Sequence, residues 1–393
     1  MNSIFILGRQ PGIGRAELES LFGADHLEQI TAGAILSDIP PEQVDFARLG
    51  SSVKHAEYLG VIPKAAMTSL HVPLDRMVMD RAKEIAEGKI QLGISAYGVK
   101  TSPKQLMAIG LNLKKSLRKA GFSVRLTPNQ ENELSSAQVL HNHLVGERGM
   151  ELILVRHGAD VVVGRTRAVQ DINAYARRDQ NRPKRDAFVG MLPPKLAQTI
   201  INLAAAQTAP NAQHSVLDPF CGTGVLLQEA LLMGFGVYGT DLEPRMIDYS
   251  RQNLEWLKDN YDVAEPINLE VGDATNHTWE PKPSIVACEG YLGHPLANWP
   301  RPEKLTQIIG TCNVITEKFM RNLAKQIPSG TRLCLGVPAW KSPTGKIYHL
   351  PLLDHLEEIG YNRVSFRHCS EQELVYYRPD QIVARELLVI TRK

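Results

Sequence analysis

From residue 196 onward, strand-like and helix-like stretches alternate. Helices are predicted over 196–206, 225–233, 244–258, 303–327 and 352–359, and strands over 215–217, 236–240, 268–271, 284–288 and 332–337. A strand that hands over to a helix of this length returns to its sheet as a parallel neighbour. The pattern therefore predicts a doubly wound α/β fold with helices on both faces. The last strand-like stretches, 363–368 and 386–391, have no helix between them and are expected to close a mostly parallel, seven-stranded sheet antiparallel.

A chain of 393 residues exceeds one core, at roughly 100 to 200 residues per domain. Residues 1–60 read as a small α/β subdomain: a strand over 4–7, a glycine-proline turn and a helix over 15–22. Residues 61–165 read as a second α/β domain, with helices over 75–87 and 103–120, a strand over 89–97 and a hairpin joining 151–155 to 160–164. Residues 166–192 have little apolar periodicity, and Arg182-Pro183-Lys184-Arg185 gives them the composition of a basic linker ahead of a domain over 193–393.

Composition excludes several classes. Hydrophobic residues at 43% and charged residues at 22% are globular values, and the net charge of +2 means that any nucleic-acid face must come from clustering. Five cysteines without a CxxC spacing suggest neither a disulfide framework nor a zinc ribbon, which fits a reducing, cytoplasmic setting. His141 and His143 have no cysteine nearby and are expected in a turn, so no metal is predicted. The apolar run Ile4-Phe5-Ile6-Leu7 is too short for an export signal or a membrane span.

The segment Val216-Leu217-Asp218-Pro219-Phe220-Cys221-Gly222-Thr223-Gly224 lies where the first strand of the parallel sheet meets its helix. Glycines there let backbone approach a ligand in the crevice beyond the strand's carboxyl end. A dinucleotide fingerprint needs a third glycine where this chain has Leu227, and Asp218 would repel a phosphate. Asp241 ends the second strand, where a carboxylate can accept both hydroxyls of a ribose, and Asp273-Ala274 ends the third, within reach of an adenine. An ammonium, a ribose and an adenine together describe S-adenosylmethionine, with Asp218, Phe220, Gly222, Gly224, Asp241, Asp273 and Ala274 as its candidate contacts.

With these motifs the second half resembles a class I methyltransferase. More specifically, the chain resembles the THUMP-domain tRNA guanosine-N2 methyltransferase family in Arg178-Asp179, Arg182-Pro183 and the run Gly190-Met191-Leu192-Pro193-Pro194-Lys195-Leu196-Ala197. The tail Arg378-Pro379-Asp380-Gln381 with Arg385-Glu386 adds to the likeness. The resemblance covers most of 90–393; the first 60 residues match only in Ile6-Leu7-Gly8-Arg9 and Ala16-Glu17-Leu18-Glu19. It implies a THUMP-like RNA-binding domain over 61–165. It also implies methyl transfer to the exocyclic N2 of a tRNA guanosine of the position 10 type. Alternatives are a non-catalytic RNA-binding protein that retains the fold, and a DNA amino-methyltransferase.

The catalytic loop departs from that family. Its fourth strand ends in Asp or Asn, Pro, Pro and an aromatic residue, whereas this chain reads Cys288-Glu289-Gly290-Tyr291-Leu292-Gly293-His294-Pro295. Aligning the tyrosine places Cys288 at the acid position, and aligning Gly293 places Glu289 there. Glu289 could accept from an amino group and Tyr291 could stack on the base; Cys288 is either a buried apolar residue or a nucleophile.

Residues 100–130 contain Lys100, Lys104, Lys114, Lys115, Arg118, Lys119 and Arg125 and no acid. On a helix these cations form two adjacent stripes suited to phosphates, and Arg178, Arg182 and Arg185 extend the basic character into the linker. The expected partner is tRNA or another structured RNA. Tyr175 is expected in the core.

Overall fold

The computed structural model describes residues 1–64, 71–85, 88–186, 192–211, 213–379 and 381–393. Gly190, Met191 and Asp380 of the family-like runs, and the end of the helix predicted over 75–87, lie outside the described residues. The chain forms two compact units: Met1–Pro11, Phe22–Ala47 and Ser52–Ala174 make the first, and Gly12–Leu21, Arg48–Ser51 and Tyr175–Lys393 make the second.

The first unit is built on one eight-stranded sheet. In chain order its strands are β1 (Ser3–Leu7), β2 (Leu27–Thr31), β3 (Ala34–Ser37), β4 (Ser52–Ile62), β5 (Lys89–Tyr97), β6 (Ser123–Leu126), β7 (Gly149–His157) and β8 (Asp160–Val169), arranged β2-β3-β1-β4-β8-β7-β5-β6. The division expected at residue 60 does not exist. β4 runs through it and pairs with β8 from Lys54 opposite Val169 to Ile62 opposite Val161, with a register shift at Tyr58/Gly60. Gly60 marks a bulge in a continuous strand.

The chain's first helix, α1 (Pro11–Phe22), contributes Gly12–Leu21 to the second unit; α2 (His71–Ala82) and α3 (Pro103–Lys119) pack on the first sheet. α3 starts where Ser102 caps it, its side chain accepting the Gln105 N–H at 3.3 Å, with Pro103 in the first turn. It buries Leu106, Gly110, Leu113 and Leu117, a single face at helical spacing. A short α4 (Ser136–His141) ends in His141, and His143 has φ of 52° in the turn beyond it.

Part of the expected linker is regular structure. β8 continues to Val169, and α5 (Ile172–Gln180) follows. The second unit then proceeds through α6 (Pro194–Ala205), β9 (Ser215–Asp218), α7 (Val225–Leu232), β10 (Gly236–Asp241), α8 (Pro244–Asn260), β11 (Ile267–Val271), β12 (Ile285–Glu289) and α9 (Pro302–Leu323). It continues with β13 (Arg332–Lys341), β14 (Ile347–Tyr348), β15 (Tyr361–Arg363), β16 (Val375–Tyr376) and β17 (Val383–Arg392). The sheet order is β11-β10-β9-β12-β13-β17-β15, with β14 on β13 and β16 on β17. β9 to β13 are mutually parallel and β17 is antiparallel to both neighbours, the doubly wound class expected. The helix predicted over 352–359 is instead two short 3₁₀ turns, Pro351–Asp354 and Leu356–Ile359.

One apolar cluster combines α6, α7 and α8 with Ile13 and Ala16 of α1, and a second packs α9 against the sheet. α1 is fixed here by polar contacts. Glu17, wholly buried, accepts the Gly50 and Ser51 N–H groups at 2.9 Å each and the Asn202 amide at 2.8 Å. Arg15 donates to the His368 carbonyl at 2.6 Å and pairs with Glu373. The chain leaves β9 for β10 and β11 on one side and returns to β12 on the other, so the strand order reverses between β9 and β12. In open α/β sheets ligands bind beyond the carboxyl ends of strands at this reversal.

Candidate active site

Asp218 ends β9 at the reversal, and the turn after it has Gly222 at φ 51° and Gly224 at φ 81°, both left-handed. Side-chain-bearing residues adopt that conformation at a cost, so these two positions need glycine. The Cys221 N–H binds the Thr240 carbonyl at 2.9 Å, and Ser250 Oγ donates to the Gly222 carbonyl at 2.8 Å, so β10 and α8 hold the turn. Ser250 carries no motif and was not singled out from sequence. The Phe220 N–H reaches Asp218 Oδ1 at 3.1 Å, while its ring stands edge-on to Phe319 at 5.1 Å.

Asp241, at the end of β10, leans toward this turn. Its Oδ2 accepts the Gly222 N–H at 2.9 Å and its Oδ1 the Glu243 N–H at 3.0 Å, which fixes the plane of the carboxylate. Asp218 is buried, and burial, then the nearby charges of Asp241 and Glu289, pushes its carboxyl well above the ordinary value. Burial also raises Asp241. A site that gathers acids and penalises their ionisation fits a ligand that brings a cation and hydroxyl donors. Asp273 closes its own turn, Oδ1 accepting the Thr275 N–H at 2.9 Å and hydroxyl at 2.8 Å, and Ala274 is buried beside it with its carbonyl bound by Asn322 at 3.1 Å.

The two registers of the catalytic loop have different surroundings. Cys288 is fully buried in the α9 cluster, and burial followed by the Asp218 charge pushes its thiol well up, which suits an apolar residue and not a nucleophile. Glu289 ends β12 opposite Gly336 of β13, and its Oε1 accepts Nε of Arg385 at 2.8 Å. Arg385, on β17, is itself oriented through a bond from Nη1 to Gln381 at 3.1 Å. The tail resemblance included Arg385 and Gln381 but gave neither a role. The Gly290 N–H binds the Gly336 carbonyl at 3.0 Å, a tether that proline cannot make and that offsets the missing ring. Tyr291 is half-buried against the α9 cluster, its ring 6.5 Å from His294.

The predicted RNA contacts divide. Lys100, Lys104, Lys115 and Lys119 are exposed in the first unit, and Lys114, Lys115, Arg118 and Lys119 line an open groove of about 540 Å³ with Leu111. Arg185 is exposed in the second unit. Arg178 and Arg182 are not surface cations. Arg178 binds Glu229 through Nε and Nη2 at 2.8 and 3.1 Å, and Arg182 is 3% exposed with Asp179 at 3.6 Å. Tyr175 lies between Arg178 and Lys195 and donates to Gln198 at 2.6 Å; it is half-buried on α5, short of the core position expected. Among the described residues no cluster of His, Cys, Asp and Glu could hold a metal, and no helix is long and apolar enough to cross a membrane.

This is the geometry in which known proteins become informative. Residues 182–335 match the family model UPF0020, an RMKL-like methyltransferase domain. A tRNA (guanine(10)-N2)-dimethyltransferase of Pyrococcus abyssi is 30% identical over 172 residues, 41% of this chain and 48% of that protein. One from Methanothermobacter thermautotrophicus is 43% identical over 79 residues, 20% of this chain and 22% of the relative. The chain thus spans about half the length of the first relative and less of the second. Among solved structures, TrmN from Thermus thermophilus covers 100% of both chains at TM-score 0.50 and 15% identity. A possible methylase from Clostridium difficile 630 covers 98% of this chain and 97% of its own at TM-score 0.52 and 14% identity. At these identities the likeness is one of fold, and both units share in it.

Proposed function

We propose that this protein transfers a methyl group from S-adenosylmethionine to the exocyclic N2 of a guanosine in tRNA. The observation that carries the reading is Glu289 at the end of β12, oriented by Arg385 and electrostatically coupled to Asp218 across the strand reversal. The names of the partial relatives supply the nucleoside and the RNA. The cofactor, when bound, supplies a methyl group on a sulfonium centre, an electrophile. Asp218 would hold its ammonium, Asp241 its ribose hydroxyls, and the Asp273-Ala274 turn its adenine.

A base amino group is a weak nucleophile because its lone pair is delocalised into the ring. With Oε1 engaged by Arg385, Glu289 accepts one amino N–H through Oε2, which raises electron density on nitrogen and directs its lone pair. The nitrogen becomes cationic as the methyl group arrives, and Oε2 takes its surplus proton and passes it to water. Tyr291 flanks the loop as the stacking surface for the base. Lys115, Lys119 and their neighbours on α3 capture RNA through phosphates. Five free, buried cysteines favour a reducing cytoplasm.

Mass analysis of nucleosides from a tRNA transcript incubated with protein and S-adenosylmethionine tests the reading. N2-methylated guanosine, with none on a transcript carrying inosine at the target position, is the expected result. Cofactor and tRNA binding without methylated product would leave a non-catalytic RNA-binding protein. Methylation of duplex DNA adenine would move the protein to a different substrate class.

A further inference from the structure

β13 continues past the catalytic edge of the sheet. Glu289, the last residue of β12, lies opposite Gly336, yet β13 runs on to Lys341 and turns back as β14, with Trp340 opposite Tyr348. Four residues at about 3.3 Å each place this extension some 13 Å beyond Glu289 along the strand. The end of β17 supports it through Val383 opposite Trp340, and the Lys341 N–H binds the Ile382 carbonyl at 3.0 Å.

Three segments meet there: 290–302 after β12, the β13–β14 hairpin, and 374–379. Trp299 and Tyr348 are half-buried with ring centroids 5.9 Å apart and planes at 44°. Lys346 Nζ lies 4.8 Å from the Tyr348 centroid, and Lys341 Nζ lies 3.8 Å from that of Tyr377. Residues 290–302, 332–353 and 374–379 contain no Asp or Glu, and Glu386 of β17, which meets them at His349, is buried. Aromatic rings give unpaired bases a stacking surface, and cations without acids among them suit the backbone that joins those bases.

We propose that this overhanging edge is a platform on which unpaired nucleotides next to the target base stack, with Trp299 and Tyr348 as the stacking rings and Lys341 and Lys346 as the backbone contacts. The proposal rests on the RNA-directed reading above and adds how the strand around the target is held. The rings pack against the α9 cluster yet stay partly accessible, so an unpaired base can add to them, whereas a duplex presents no free base faces.

The test uses the full chain and a short single-stranded RNA, with the same sequence as a duplex for comparison. The single strand is expected to quench tryptophan fluorescence through Trp299, and Trp299→Phe should abolish that quench with little change in affinity. Tyr348→Ala should weaken single-strand binding about tenfold with cofactor affinity unchanged. Lys346→Gln, on an exposed side chain that does not support the fold, should make the log-affinity against log-salt slope shallower by about one. Equal binding of duplex and single strand, or unchanged affinity in both Tyr348→Ala and Lys346→Gln, overturns the platform. A protein that makes no methylated nucleoside but keeps the Trp299-dependent quench loses the proposed reaction and keeps the platform. One that methylates tRNA with both variants at wild-type affinity does the reverse.

Discussion

Arg178 and Glu229 meet as two parallel hydrogen bonds, Nε to Oε1 at 2.8 Å and Nη2 to Oε2 at 3.1 Å, with the glutamate side chain 1% exposed. A guanidinium so placed holds α7 to α5 and cannot also grip a phosphate. Removing it strands a buried carboxylate. Arg178→Ala should therefore cost about 3 to 5 kcal/mol in urea unfolding, whereas a phosphate-contacting arginine would cost almost nothing. A fragment beginning at residue 190 lacks this arginine and should unfold in the same way.

Asp218 should leave a mark on pH-dependent stability. Its unfolded carboxyl releases a proton near 3.8, and the folded one holds its proton to a well higher pH. Across that window the native state binds more protons, so the contribution of Asp218 to stability falls as pH rises from 3.8 through the folded value. Asp218→Asn should remove this slope and stabilise the unliganded protein at neutral pH while weakening S-adenosylmethionine. Paired unfolding curves in acetate and neutral buffer, with calorimetry of the cofactor, check both halves.

The Glu289 carboxylate is expected to carry turnover. Glu289→Gln keeps an oxygen acceptor and should retain partial activity, and Glu289→Ala should lose a factor of about 100 or more with cofactor affinity intact. Cys288→Ser should lower stability through a buried hydroxyl and leave the rate per folded molecule near that of the parent. Abolished turnover in Cys288→Ser, with activity kept in Glu289→Ala, would transfer the chemistry to the thiol.

Lys115 and Lys119 are exposed on α3, among cations with no acid between them. Replacing both with Gln should make the salt dependence of tRNA binding shallower by about one to two in log-log slope, because fewer counterions are released. An unchanged slope returns them to solvent.

The turn after β9 was legible because its signals are local: a strand end, an acid and two glycines that take the left-handed backbone. α3 was legible for the same reason, its apolar spacing and its proline falling within one helix. The fate of Arg178 was not, since its partner lies 51 residues on and a basic run reads alike whether it faces water or a buried acid. Arg385 was visible only as part of a tail, because it meets Glu289 only when β17 inserts beside β13, and strand order is not written in any one segment. The continuity of β4 past residue 60 was not legible because the strand it pairs with, β8, lies far along the chain.

The burial of α1 has a consequence for biosynthesis. Arg15 leaves the ribosome 353 residues before His368, whose carbonyl it binds. At about 5 to 20 residues per second, roughly 20 to 70 s separate the two. For roughly the first half of that interval Glu17 is a carboxylate without the Asn202 amide, which follows it by 185 residues. The second unit, which draws Gly12–Leu21 together with Tyr175–Lys393, cannot be complete until the chain has passed His368. Newly made chains spend that time with the Arg15 contact of α1 unmade, open to proteases and chaperones.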